Sequence, residues 1–199
     1  MEPVIYVLLI LTSVVGMTFI IERGLALKWG KVLPPPIEAA VKACASTQDV
    51  TRLRSTCQQH PSALGRILAT ASDHLDWPKA ENVDAIQTQA RHEIVKLERG
   101  LVVLEVIVGI APLLGLVGTI VGMMTLFTGL GETGLTNTEA LAKGIGTILN
   151  ATLMGLLIAI PCLIFWSYYT RKVETMAVEM ETLCDQFVRR QYRSATLGS

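Results

Sequence analysis

Two long apolar stretches of this sequence contain polar side chains, of which four stand out. Thr119 lies in one stretch, and Thr147, Asn150 and Thr152 lie in the other. Their hydroxyl and amide oxygens can line an ion path, and an Asn at bilayer depth usually faces a partner helix or a cavity. At about 100° per helical residue, Thr147 and Asn150 share one stripe of a helix, whereas Thr152 points roughly 140° from Thr147. The stripe of Thr147 and Asn150 is a candidate ion path; the competing interpretation is that each Thr hydroxyl bonds back to its own helix.

Carboxylates are missing from the depth of these stretches. Thr and Asn do not take and release protons at accessible pH, so they cannot relay protons by themselves. Glu105 lies at the beginning of the stretch that holds Thr119, and Glu22 and Arg23 follow a further apolar stretch near the N-terminus. These three charged residues are typical of interfacial anchoring. If ions cross a membrane here, the titrating carboxylate comes from another chain.

Small and helix-breaking residues also recur in the apolar stretches. Gly115, Gly118 and Gly122 are spaced three and four residues apart, which places them on one helix face. In lipid, such a strip lets two helices pack closely, so we predict helix packing for these glycines. Pro112 and Pro161 each remove a backbone donor, which predicts a kink in each helix and indicates hinges or a wet cavity.

Other chemistries find little support. The four cysteines show neither metal-ligand spacing nor a disulfide framework, so we predict that they are small apolar packing residues in a reducing compartment. The three histidines are scattered along the chain. The sequence contains no nucleotide-binding loop or catalytic constellation. The net charge is zero, which gives no general basis for nucleic acid binding. We therefore expect no enzyme activity, cofactor, metal site or nucleic acid partner.

The elements that must hold these residues are membrane-spanning helices. Charged residues make up 17% of the chain, below the roughly 25% of soluble domains. Three uncharged stretches are long enough for a bilayer core of about 30 Å. We predict an all-α membrane protein with spans at 1–21, 106–130 and 144–170, and we interpret the first as a retained anchor, not a cleaved signal.

Lysine and arginine predict the orientation of these spans. Eleven of the 17 basic residues lie within 22–105, and five follow residue 170. Because basic residues favour the cytoplasmic side, we expect a periplasmic N-terminus, a cytoplasmic region at 22–105, a short periplasmic loop at 131–143 and a cytoplasmic C-terminal helix at 171–199. The periplasmic assignments apply to a bacterial inner membrane, in which the chain would be a multi-pass protein.

The cytoplasmic segments are predicted to be helical. The Pro34–Pro36 run and Trp77-Pro78 mark breaks. Between them we predict helices at 37–45 and from near Val50. Apolar residues recur at helical spacing from residue 80 to 99, and we predict one long helix that continues from there into the second span. The stripe of Met176, Met180, Leu183 and Phe187 predicts a bundle core in the tail.

The membrane stretches resemble the MotA/TolQ/ExbB proton channel family. The resemblance lies in Ala111–Thr119 with Gly122-Met123, in Gly144-Ile145 and in Ala151–Pro161. Three spans and this length are similar to the ExbB/TolQ branch. The resemblance implies a ring-forming homopentamer whose second and third spans line a pore, occupied by a dimer of an ExbD/TolR-like single-span protein whose membrane Asp carries the ion. It also implies that Thr119 and Thr152 line the pore and that Pro112 and Pro161 take part in coupling.

Two positions depart from the family pattern. Thr147 stands where ExbB and TolQ members usually carry Glu, and Asn150 replaces a residue that is usually apolar. The ion path is therefore expected to depend on the partner's Asp. We expect H⁺ as the ion; hydroxyl and amide oxygens also coordinate Na⁺, which stays an alternative.

Three functions remain in competition. The preferred one is the ring subunit of an ion-driven motor that energises an envelope process, such as transport through a TonB-like protein. The second is a non-conducting membrane scaffold. A small transporter or membrane enzyme is the third, but the sequence shows neither an intramembrane charge cluster nor an inverted repeat. Envelope maintenance, polymer export and surface motility stay open as the driven process.

Overall fold

A computed structural model describes residues 2–44, 47–133 and 138–197. The described residues form eight α-helices and no strand, as expected for an all-α protein. The helices are α1 (Glu2–Ala26), α2 (Trp29–Val32), α3 (Pro35–Ala43), α4 (Thr47–Gln59), α5 (Ala63–Asp73), α6 (Lys79–Glu98), α7 (Leu101–Thr133) and α8 (Thr138–Leu197).

Three of these helices are long and apolar enough to cross a membrane. The candidate spans are Pro3–Ala26, Leu101–Gly129 and Gly144–Arg193, with 24, 29 and 50 residues. At 1.5 Å per residue the shortest is about 36 Å long, more than the roughly 30 Å of a hydrocarbon core. The predicted fold class, an all-helical membrane protein with three spans, is therefore confirmed.

The described chain forms two compact units. The membrane unit comprises Met1–Arg23 and Gly100–Tyr168, and the helical unit comprises Gly24–Arg99 and Tyr169–Ser199. Helix α8 contributes to both. In the membrane unit, the buried apolar residues of α1, α7 and α8 include Leu9, Leu104 and Ala111. Many large apolar side chains on the same helices are exposed, which suits lipid or other subunits and not water.

The helical unit has a conventional apolar core. The predicted stripe on α8 is confirmed, because Met176, Met180, Leu183 and Phe187 are each at most 1% exposed. They pack with buried residues of α3, α4 and α5, and α6 contributes Ile86 with partly buried neighbours.

Polar contacts in the helical unit secure helix ends. Ser62 is the N-cap of α5, and its hydroxyl accepts a hydrogen bond from the Gly65 N–H at 3.0 Å. Arg190 of α8 donates to the Lys42 carbonyl at 2.6 Å, which satisfies an otherwise unpaired group at the end of α3.

Helices α3 and α6 begin where prolines permit. Helix α3 begins at Pro35, two residues before the predicted start, because the fixed φ of proline suits the first helical turn. Helix α6 follows the Trp77-Pro78 break, as predicted.

One backbone prediction needs correction. The helix predicted to run from residue 80 into the second span is divided, because α6 ends at Glu98 and α7 begins at Leu101. Gly100 has a low helix propensity, and the Arg23 side chain lies where a Cβ of Gly100 would be. Residues 131–133 and 138–143 are helical, and Glu, Ala, Leu and Lys after residue 138 favour helix. The assignment of 131–143 as a short periplasmic connection stays a prediction.

Candidate functional site

The predicted glycine strip lies at the contact between α7 and α8. A Cβ on Gly118 would lie 2.7 Å from the Cβ of Ala151, and one on Gly122 would lie 2.7 Å from Cγ1 of Ile148. A Cβ on Gly115 would lie 2.9 Å from the carbonyl oxygen of Ala151. Because these distances are shorter than carbon contacts allow, the two helix backbones approach this closely only if the three positions carry no side chain.

Gly155 makes the closest approach, and the sequence interpretation missed it. A Cβ at this position would lie 2.6 Å from the Ala111 carbonyl oxygen and 3.3 Å from the Gly115 Cα. The signal was present in the sequence, because Ala151, Gly155 and Ala159 repeat a small residue every fourth position. The contact is therefore built from a strip of small residues on each helix.

Thr119 and Thr152 are anchored to consecutive carbonyl groups of α7. The Thr119 hydroxyl donates to the Leu116 carbonyl at 2.7 Å, within its own helix. The Thr152 hydroxyl donates across the helix contact to the Gly115 carbonyl at 3.4 Å. Both side chains are partly buried. The structure thus brings these two hydroxyls to one short section of the α7 backbone.

Thr147 and Asn150 lie elsewhere on α8, and both are exposed. The backbone carbonyl of Thr147 accepts a hydrogen bond from the Tyr6 hydroxyl of α1 at 3.4 Å. Thr147 and Tyr6 line a cavity of about 250 Å³ in the membrane unit, together with Gly118, Gly122 and other residues of the three helices. The sequence interpretation missed Tyr6, although a phenol near the start of an apolar span was a visible signal.

The two prolines lie inside continuous helices. Pro112 is partly buried in α7, and Pro161 is exposed in α8. Each removes the N–H that would bond the carbonyl four residues earlier, at Val108 and Leu157. Those two carbonyls are free to bond other groups, while the predicted kinks and coupling role stay predictions.

The charged residues at the ends of the spans have different surroundings. Arg23 forms an ion pair with Glu22 and covers Gly100, and its side chain is 15% exposed against 48% for Glu22. Glu105 is exposed and makes no ion pair with any residue that the structure describes. Within the described ranges, no three His, Cys, Asp or Glu side chains come together in a group that could hold a metal ion.

The helical unit contains a buried carboxylate that the sequence interpretation did not single out. Glu93 is 1% exposed and accepts hydrogen bonds from Arg66 at 2.5 Å and Lys96 at 2.9 Å. Burial raises the pKa of Glu93, but the hydrogen bonds and positive charges of Arg66 and Lys96 outweigh it and hold the pKa below its usual value. Because Arg66 lies on α5 and Glu93 on α6, this pair connects two helices of the unit.

Residues 59–182 match the MotA/TolQ/ExbB proton channel family. This match covers well over half of the chain. The chain belongs to this family. The matched range includes α5, α6, α7 and the part of α8 that carries the candidate site. Within the family, the curated relatives named ExbB place the chain in the ExbB-like branch.

Three relatives illustrate the similarity. The chain is 30% identical over 105 residues to the biopolymer transport protein ExbB of Aquifex aeolicus, covering 53% of this chain and 70% of that protein. It is 32% identical over 163 residues to a putative ExbB-like protein of Synechocystis, covering 76% of this chain and 61% of the relative. It is 28% identical over 156 residues to a putative ExbB homolog of Methanothermobacter thermautotrophicus, covering 78% and 55%.

Proposed function

We propose that this chain is the ring subunit of an ion-driven motor in a bacterial inner membrane. It assembles as a homopentamer, and a dimer of a small ExbD/TolR-like single-span protein occupies the pore. Ion flow through the assembly performs mechanical work on an envelope partner, such as a TonB-like protein. Membership of the proton channel family carries this proposal.

The α7–α8 contact supports a central pore of the ring that the second and third spans line together. Small residues hold the two helices together, so the large exposed side chains and the polar stripe of Thr147 and Asn150 are left for other subunits, lipid or the pore. Thr119 and Thr152 are assigned to the pore wall, where their hydroxyl oxygens face the ion path.

The ion carrier in this proposal is a carboxyl group on the partner. The described spans contain no Asp or Glu between residues 3 and 21, 106 and 129, or 144 and 170. A proton relay needs a group that titrates near working pH. We therefore assign proton transfer to the membrane Asp of the partner and favour H⁺ over Na⁺ as the ion.

The orientation follows the basic residues. The N-terminus is assigned to the periplasm, and the residues at 22–105 and 171–199 are assigned to the cytoplasm. Cysteine accessibility tests this assignment: a maleimide that does not cross membranes should label a cysteine placed at exposed Trp77 only after the membrane is opened.

Native mass spectrometry tests the assembly. The chain is co-expressed with an ExbD/TolR-type single-span protein from the same genome and extracted in mild detergent. A pentamer that retains a partner dimer is the expected result. A monomer, or an oligomer that never retains the partner, contradicts the motor proposal.

A non-conducting scaffold is the second candidate, and one observation favours it. The hydroxyls of Thr119 and Thr152 both donate to helix carbonyls, as a purely packing role requires. The variants Thr119→Val and Thr152→Val preserve side-chain shape and remove the hydroxyl. The motor proposal expects these variants to lose ion flux while the assembly stays intact; unchanged activity favours the scaffold.

A further inference from the structure

We infer that Asn150 is a positioning residue that hydrogen-bonds the ion-carrying carboxyl group of the partner helix and favours its ionised form. This inference rests on the proposed function and adds a specific role for one side chain. Its starting point is the surroundings of Asn150 within α8.

The Asn150 amide is exposed on a helix that crosses the membrane and makes no hydrogen bond with the described residues. Six threonines of the three spans behave differently, because each donates to a backbone carbonyl: Thr12, Thr18, Thr119, Thr125, Thr128 and Thr152. An Asn side chain carries two donors and a carbonyl acceptor, and hydrocarbon satisfies none of them. The amide therefore needs a polar group from outside the described chain.

A carboxyl group fits this position better than a second amide does. The Asn amide donates to a carboxylate and accepts from a carboxylic acid, so it can stay bonded in both states of an ion carrier. The hydrogen bond to the carboxylate is about twice as strong as the one between neutral groups, so the ionised form is favoured on balance. Thr147 lies on the same stripe about one turn away and adds oxygen atoms to the surface that the carboxyl group would meet. A contact between Asn150 and a neighbouring copy of this chain is the competing arrangement.

Few other groups can set the charge state at this surface. Helix α1 offers Tyr6, whose hydroxyl is already bonded to the Thr147 carbonyl, and the α7 span offers no Asp, Glu, His, Lys or Arg between residues 106 and 129. On α8, Lys143 lies seven residues before Asn150, and its side chain is outside the description. The Cys162 thiol is buried.

The direction of the effect follows from the donor. A hydrogen bond donated to the ionised form of a carboxyl group lowers its pKa. Removing the amide should therefore raise the pKa of the partner carboxyl and shift the pH at which protons are released upward, by about one pH unit for one hydrogen bond to a charged group.

The test uses the complete complex of this chain with its ExbD/TolR-type partner in liposomes. Infrared difference spectra follow the carboxyl C=O band of the partner Asp, labelled with ¹³C, as pH is varied, and proton flux is recorded in parallel. The variants are Asn150→Leu and the smaller Asn150→Ala, with Asn150→Gln as the conservative change. Leu149→Ala is the matched control, because Leu149 is 62% exposed and carries no polar group.

Asn150→Leu and Asn150→Ala should each move the carboxyl midpoint to higher pH. Asn150→Gln keeps an amide donor and should leave the midpoint near the wild-type value, and Leu149→Ala should leave it unchanged. A midpoint that does not move in either apolar variant overturns the inference. Loss of subunits in native mass spectra with an unchanged midpoint also overturns it, in favour of a contact between copies. A wild-type complex without flux or partner overturns the proposed function itself, and so separates the two failures.

Discussion

Replacing Gly155 with alanine should force α7 and α8 apart at their closest contact. The added Cβ would lie 2.6 Å from the Ala111 carbonyl oxygen, whereas unstrained carbon–oxygen contacts lie at about 3.3–3.6 Å. The obstructing atom belongs to the backbone, so no side-chain rotation can relieve the overlap. The helices must separate by several tenths of an ångström, and the neighbouring Gly115 contact is loosened with them.

The magnitude follows from two opposing contributions. Overpacking of a closely packed contact costs about 1–3 kcal/mol, and we expect the upper end because backbone must move. Alanine in a helix interior is about 1 kcal/mol more favourable than glycine, which raises the free energy of unfolding by that amount. The free energy of unfolding of Gly155→Ala should therefore fall by about 2 kcal/mol.

Gly146→Ala is the matched control on the same helix. A Cβ at Gly146 would meet no atom within 4 Å, so this variant should keep the helix-propensity gain and be up to about 1 kcal/mol more stable. Helix content is followed by circular dichroism during unfolding in mixed micelles of rising SDS fraction. If both variants unfold at the same SDS fraction as each other, the close approach of α7 and α8 is refuted.

Three further predictions concern the helical unit. Arg66→Met removes one partner of the buried Glu93 and should lower the free energy of unfolding by about 1–3 kcal/mol. This loss is smaller than for a fully buried pair, because Arg66 is 48% exposed. Arg54→Met breaks an ion pair that is exposed on both sides and should lower the free energy of unfolding by under about 1 kcal/mol. Folding lowers the pKa of Glu93, so its stabilising contribution is complete above the unfolded pKa of about 4.3 and should be lost as pH falls through the lower folded pKa. Thermal unfolding between pH 7 and pH 3 measures this loss. Loss of the same contribution above pH 7 would contradict the reasoning. Burial raises the pKa of Cys57 to about 11, so at pH 7.5 Cys57 should react with a maleimide far more slowly in the folded chain than in denaturant. Mass spectrometry of the alkylated peptide measures the two rates. Equal rates would refute the burial of Cys57.

The sequence was a sufficient guide to the membrane helices. Uncharged runs of this length favour helices in lipid, since a helix bonds every backbone group inside its own segment. The glycine strip at Gly115, Gly118 and Gly122 could be read from its spacing alone. The burial of the stripe from Met176 to Phe187 followed from helical periodicity in the same way.

Boundaries were harder to predict, because they depend on contacts that periodicity does not contain. Gly100 was the weak point of the helix that we predicted to be continuous. In the fold, the chain turns at Gly100, and the Arg23 side chain covers this residue although Arg23 lies 77 residues earlier in the sequence.

The sequence by itself determined the number of apolar helices, the strip of small residues on α7 and the absence of a carboxylate from the spans. Tertiary structure alone decided which strip meets which: Gly155 against Ala111, and the Thr152 hydroxyl against the Gly115 carbonyl. It also placed Arg66 of α5 beside Glu93 of α6. Composition and periodicity are properties of single segments, whereas these contacts depend on the relative position and rotation of two helices, which packing fixes only when both are present.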